Sequence, residues 1–174
     1  MATSGISAST DDLALTGLLM YIDEDTTPSA TISGESLEFS AEFATLFAGK
    51  GVKVKVAEVM KSFGIAMKFK VHEITAKGMS ILYGGDYSTP TSPASTRVSF
   101  KGKMTAPVAH TFKFIGLSNE GKTITIQLNN AKNTEFGAVA LDGSDFAAMP
   151  CTIVPSPLTP GDDTEVLAFF DIAS

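Results

Sequence analysis

The chain predicts a mainly β fold, a β-sandwich or split barrel with one short flanking α-helix. Three observations predict it. First, apolar and polar residues alternate in successive runs. Leu37, Phe39 and Phe43 alternate with Glu38, Ser40 and Glu42; Val52, Val54 and Val56 with Lys53 and Lys55; Ile65, Met67, Phe69 and Val71 with Ala66, Lys68, Lys70 and His72. A strand sends successive side chains to opposite faces, so each run has one apolar face and one wet face. Second, turn-forming residues separate many short runs, the pattern of sandwiches and barrels. Third, only one segment, residues 75–84, has helical spacing closed by a glycine pair.

The elements follow in order. Residues 1–13, rich in Ser, Thr and Ala, form an N-terminal arm. A strand covers residues 17–22, and the acidic stretch from Asp23 to Ser29 turns the chain. The next strand covers residues 35–43. Residues 44–51 form a turn, with Gly49 and Gly51 supplying backbone freedom. Strands follow at residues 52–59 and 63–74. Thr75 is placed to cap a helix, because its hydroxyl can accept a bond from an orphan backbone N–H. Ala76, Met79 and Tyr83 fall at i, i+3 and i+7, a helical stripe, and Gly84 suits the left-handed position that ends a helix. Gly78 weakens this helix by roughly 1 kcal/mol relative to alanine. Residues 86–96, with Pro90 and Pro93, form a polar loop. Further strands are expected at residues 97–101, 108–115, 122–130, 137–141, 146–154 and 165–172. Pro155, Pro157 and Pro160 interrupt the chain before the last of them.

The 174 residues suit one domain, residues 1–174, whose last part, residues 155–174, is a C-terminal segment. Such a domain buries roughly 70% of its unfolded surface, so a core forms without staples. Cys151 is the only cysteine, which excludes an internal disulfide and makes a reducing compartment the simpler expectation. Residues 1–15 have neither a basic region nor a long apolar run, so no secretory signal is expected. No stretch of 18 apolar residues exists to cross a bilayer as a helix.

The net charge of −6 is unevenly placed. Residues 1–49 carry eight acids and no Lys or Arg; residues 50–80 carry seven lysines against Glu58 and Glu73. Residues 81–118 carry four basic groups against Asp86; residues 119–174 carry eight acids against Lys122 and Lys132. A chain with acidic ends and a basic middle offers complementary patches to copies of itself. The bland alternative is a set of solvated faces, since surface charge contributes little.

Several motifs invite chemistry and do not carry it. Gly116-Leu117-Ser118-Asn119-Glu120-Gly121-Lys122-Thr123 fits the phosphate-loop pattern letter for letter. That motif needs a helix after the loop. Here Ile124, Ile126 and Leu128 alternate with Thr125 and Gln127 as in a strand, so the segment is a β-hairpin turn. His72 and His110 lie in unrelated segments; His72 sits on the polar face of a strand beside Lys70, and His110 has no partner acid close in sequence. No metal-ligand spacing is present, and Cys151 is a small hydrophobe with no local nucleophile signature. Asp23-Glu24-Asp25, Asp142-Gly143-Ser144-Asp145 and Asp162-Asp163 lie in turn-like sequence, where Asp is favoured for backbone reasons, and none has calcium-loop spacing. The lysines from Lys50 to Lys70 include no Arg, and Phe63 and Phe69 fall beside apolar faces instead of among them, against a nucleic-acid groove. Lysines on edge strands also discourage wrong pairing. Neither a catalytic site, nor a metal, nor a cofactor is expected, and the chain is not expected to be an enzyme.

Three passages resemble the major tail tube proteins of long-tailed, non-contractile bacteriophages. They are the strand-turn-strand run from Leu37 to Glu58; the strand from Ile65 to Ile74 with the following helix and Gly84-Gly85; and the late hairpin from Phe136 to Pro150. The resemblance spans residues 15–172 and is one of pattern, without a signature motif. It implies a structural virion protein of the tail, assembled in the host cytoplasm. Six copies would form a ring, and rings would stack into a hollow tube through which DNA passes without specific binding. Tail tip, tape-measure and terminator proteins would be further partners, and no membrane is involved. Glu38, Glu42 and Gln127 are then candidates for the lumen, where acidic groups repel phosphate. Leu46 and Phe47, apolar residues in an expected turn, are candidates for contact between rings, together with Lys50 and Lys53. The tube of a contractile injection or secretion system shares the implied architecture. A monomeric β-sandwich binding module is the alternative from another class; the absence of Trp and the presence of only three Tyr argue against its usual aromatic platform.

Overall fold

The computed structural model describes residues 16–48, 53–89, 95–102, 107–118, 121–136, 149–159 and 164–173. The expected arm at 1–13, the strand at 137–141 and the acidic turns at 142–145 and 162–163 lie outside them. The elements are β1 (Thr16–Ile22), β2 (Ala30–Ala48), β3 (Val54–Ile74), α1 (Ala76–Tyr83), β4 (Asp86–Ser88), β5 (Arg97–Ser99), β6 (His110–Leu117), β7 (Thr123–Asn133), β8 (Met149–Pro155) and β9 (Ala168–Ile172). The fold is mainly β with one short helix, as the alternation predicts.

The large sheet runs β6-β1-β2-β3-β8-β7-β9, and a further β6–β7 ladder closes the first six strands into a ring. Every ladder in it is antiparallel. Strand β7 makes the closure. One edge pairs with β6. On the other edge, Ile124–Leu128 pair with β9 and Ala131–Asn133 with β8. The hand-over falls at Asn130, whose φ of 45° lies in the left-handed region that Asn tolerates. Its side-chain amide donates to the Ser156 carbonyl at 2.7 Å, holding the chain end that leaves β8.

Alternate residues fill the ring: Leu18, Met20 and Ile22 from β1, Met67, Phe69 and Val71 from β3, Phe112 and Phe114 from β6, Ile124, Ile126 and Leu128 from β7, and Cys151 and Ile153 from β8. Phe69 and Phe114 meet edge to face at 5.3 Å, a favoured aromatic geometry. Helix α1 joins the core through Leu82. Its caps are those expected: the Thr75 hydroxyl accepts from Gly78 N–H at 3.0 Å, and Gly84 has φ 74°. Gly78 sits in a tightly packed place. A Cβ there would lie 3.2 Å from Ile74 Cγ1, the Ser29 carbonyl and Thr75 Oγ1. Buried Asn133 ties the helix to β8, donating to the Leu82 carbonyl at 3.2 Å and accepting from Thr152 N–H at 3.1 Å. No helix among the described residues is long and apolar enough to cross a membrane.

Three expectations are corrected. Residues 44–48 are not a turn: β2 continues through them to Ala48. The strands expected at 52–59 and 63–74 are one strand of 21 residues, β3. The polar loop at 86–96 contains β4, which pairs with β5.

Candidate functional site

The turn-forming motifs are used up in holding the fold. In the hairpin between β6 and β7, Ser118 N–H donates to the Lys122 carbonyl and Gly121 N–H to the Ser118 carbonyl, both at 2.9 Å. Lys122 N–H donates to the Ser118 hydroxyl at 3.1 Å. These three amides are therefore spent inside the turn, and the strand β7 follows where a phosphate loop needs a helix. In the turn after β1, the Asp23 carboxylate accepts from Thr111 N–H at 3.1 Å and contacts His110 Nδ1 at 2.8 Å. His110 thus gains an acid partner that lies 87 residues away in sequence. Asp25 accepts from the Lys77 ammonium at 2.8 Å, anchoring α1. His72 bonds the Ser33 hydroxyl across β2 and β3. Cys151 is buried, 3.2 Å from the Tyr83 hydroxyl. Burial pushes its thiol up to about 11, which suppresses the reactive thiolate. No three His, Cys, Asp or Glu side chains among the described residues are grouped to hold a metal.

The surface that stands out is the distal part of the β2–β3 hairpin. β8 supports β3 only over Met67–Val71, and β1 pairs with β2 only at Ala30 and Thr31. From Leu37 to Ala48, about twelve residues, β2 pairs with β3 alone, an arm of roughly 40 Å at the usual strand rise. Residues opposite each other in an antiparallel ladder share a face. Leu37 faces Met67, Phe39 faces Ile65, Ala41 faces Phe63, and Phe43 faces Met60. Met67 is in the core, and Leu37 and Ile65 pack against it. The core face therefore runs straight out along the arm.

There it loses its cover. Phe39, Phe43, Phe47, Met60 and Phe63 are each more than half exposed. Phe39 and Phe63 stack at 6.1 Å, a diagonal pair on this face. Half-exposed, these five side chains present roughly 550 Å², at the upper end of the largest apolar patch usual on a monomer, roughly 300–600 Å². The opposite face is polar near the ring, with Ser36, Glu38, Ser40 and Glu42 against Lys68, Ala66, Gly64 and Ser62. It turns apolar toward the tip, where Ala44 faces Val59 and Leu46 faces Ala57.

The sequence-derived candidates distribute as follows. Leu46 and Phe47 are both exposed near the tip of the arm, but on opposite faces of a strand instead of in a turn. Lys53 is exposed immediately before β3, and Lys50 lies outside the described residues. Glu38 and Glu42 share the polar face of the arm. Glu38 pairs with Lys68 at 2.9 Å, so that face is locally neutral there. Gln127 is not brought to them. It sits on β7, lining a shallow groove with Asp23, Glu24, Asp25, Thr111 and Lys113. Missed by sequence reasoning were Phe39, Phe43, Met60 and Phe63 as surface residues. Their alternation is the same as that of core residues, so the sequence held no signal to separate them.

Neither a family model nor a curated protein matches this chain. Among solved structures, the cap that terminates the tube of the anti-feeding prophage is similar over 97% of this chain and 100% of that one. The TM-score is 0.43 and the identity 10%, a likeness that carries no argument about function.

Proposed function

We propose that this chain is a structural tail protein without enzymatic activity, a subunit that assembles with copies of itself into stacked hexameric rings forming a tail tube. The carrying observation is the arm, a 40 Å extension by the strand rise used above, with an uncovered aromatic face continuous with the core. A two-stranded ribbon is at best marginally stable in water. An apolar face on such a ribbon gains its stability when a partner covers it. The sequence resemblance to tail tube proteins supplies the kind of assembly. Tail tip, tape-measure and terminator proteins are its further partners, and DNA passes through the tube without specific binding.

Negative-stain electron microscopy of the purified protein across concentration tests this. Rings or hollow tubes are the expected result, lost when Leu46→Asp and Phe47→Asp are combined. Particles that remain monomeric at all concentrations, or assemblies indifferent to the double substitution, would count against it. The lumen assignment has its own test. Glu38→Lys with Glu42→Lys is expected to slow DNA ejection; unchanged ejection would remove these two residues from the channel.

A further inference from the structure

The arm is not the only place where the core face runs out uncovered. In β9, Ala168, Phe170 and Ile172 stand opposite Leu128, Ile126 and Ile124, all three of which are buried in the core. Their side chains therefore lie on the core side of the sheet. Ala168 packs against the core, but Phe170 is 48% and Ile172 56% exposed. β9 is also the terminal strand of the sheet order, so its outer edge has no ladder partner among the described residues. An unpaired edge beside an apolar face is a ready site for another chain.

Charge decides which chain elements meet. Residues 36–70, which contain the arm, hold six lysines against Glu38, Glu42 and Glu58, a charge of +3; the rest of the chain is then −9. Two arms packed on each other would bring like charge together, and two β9 regions would do the same with Glu165 and Asp171. An arm on a β9 region pairs opposite charge with apolar cover on both sides.

We propose that the aromatic face of the arm of one copy, at Phe39, Phe43 and Phe63, seats over Phe170 and Ile172 of β9 in a second copy. This rests on the self-assembly reading and adds its polarity. Each copy then donates one arm and receives one; with donor and acceptor on different neighbours the contact is head-to-tail and generates rings or open stacks, the outcome the self-assembly reading requires. Area supports the match. Three half-exposed aromatics on the arm and two side chains on β9 cover roughly 500 Å², about a third of a standard interface of roughly 1,600 Å², with Phe47 and Met60 further along the same face of the arm to extend it.

The test mixes two populations, one carrying Phe43→Cys and one carrying Ile172→Cys, with a short bifunctional maleimide as cross-linker. Both positions are more than half exposed, so the fold is expected to persist, and Cys151 is buried and stays out of the reaction. Phe63→Cys with Phe170→Cys is the second pair. Covalent dimers in the mixture, with about tenfold less product from either population alone, are expected. Dimers from Phe43→Cys alone would establish an arm-to-arm contact and overturn the proposal. Assemblies visible by electron microscopy but without mixed product from either pair would overturn it while leaving self-assembly standing. A chain that never assembles would overturn both.

Discussion

Phe43 and Phe114 both point to the core side of the sheet, in opposite surroundings, so truncating each to alanine separates folding from assembly. Phe114 is 0% exposed and packs on Phe69; Phe43 is 55% exposed on the arm. A phenylalanine offers roughly 200 Å². At about 25 cal/mol per Å², burying all of it contributes about 5 kcal/mol, and core Phe→Ala changes remove about 3–5 kcal/mol. Phe114→Ala is therefore expected to lower the unfolding free energy by about 4 kcal/mol, a large share of the ~5–15 kcal/mol that a domain has. For Phe43, the exposed 55% is roughly 110 Å². Covering it at one contact contributes about 2.7 kcal/mol, near a hundredfold in association constant. Urea unfolding of dilute protein reads the first quantity; sedimentation against concentration reads the second. Phe43→Ala should shift stability by no more than about 1 kcal/mol and raise the concentration needed for assembly about a hundredfold. If Phe43→Ala instead destabilises the fold as Phe114→Ala does, and assembly begins at the same concentration, the arm's aromatic face serves its own fold and the reasoning fails.

The helix caps give a second expectation. Thr75→Ala removes the hydroxyl acceptor of Gly78 N–H, and Gly84→Ala forces a side chain onto φ 74°. Each is expected to cost about 1 kcal/mol in urea unfolding, and neither should alter assembly at concentrations where the fold is intact. The buried thiol gives a third. Burial raises Cys151 from 9.0 to about 11, and burial with the Cys151 contact raises the Tyr83 phenol further. Both groups ionise more readily in the unfolded chain. The contribution of Cys151, about 2–3 kcal/mol, is thus fully present below pH 9 and is lost as pH rises through 11, whereas that of Tyr83 persists to higher pH. Native protein at pH 8 should leave Cys151 unlabelled by a thiol reagent until urea unfolds it. Rapid labelling without urea would contradict the burial.

Much of the ring was legible in the sequence because it depends on local rules. Ile124, Ile126 and Leu128 alternate and are buried; Thr75 and Gly84 cap the helix where cap chemistry puts them. What was not legible depends on distance. The partner of His110 is Asp23, from the turn after β1, and Asn133 holds both α1 and β8. No spacing within a segment announces such pairs. Gly78 was read as a weakness of the helix because propensity is local, whereas its value lies in letting the helix approach Ser29.

The arm shows why the remaining error was instructive. Alternation in β3 slips between Val59 and Phe63, where the sequence analysis places a gap between two strands. In the structure the ladder steps from Glu42 opposite Ser62 to Phe43 opposite Met60, leaving Lys61 as an extra residue. A bulge of this kind keeps a strand going and increases its twist. It also restores Met60 to the face of Phe63, so the apolar stripe survives a slip that would otherwise have sent Met60 to the polar side. A second shift, between Leu46 and Phe47, occurs near the tip. The first bulge puts Met60 on the side of Phe39, Phe43 and Phe63 and so lengthens the uncovered apolar stripe. Alternation in a sequence therefore identifies faces without identifying what covers them, and on this chain the uncovered face is the most informative feature of its surface.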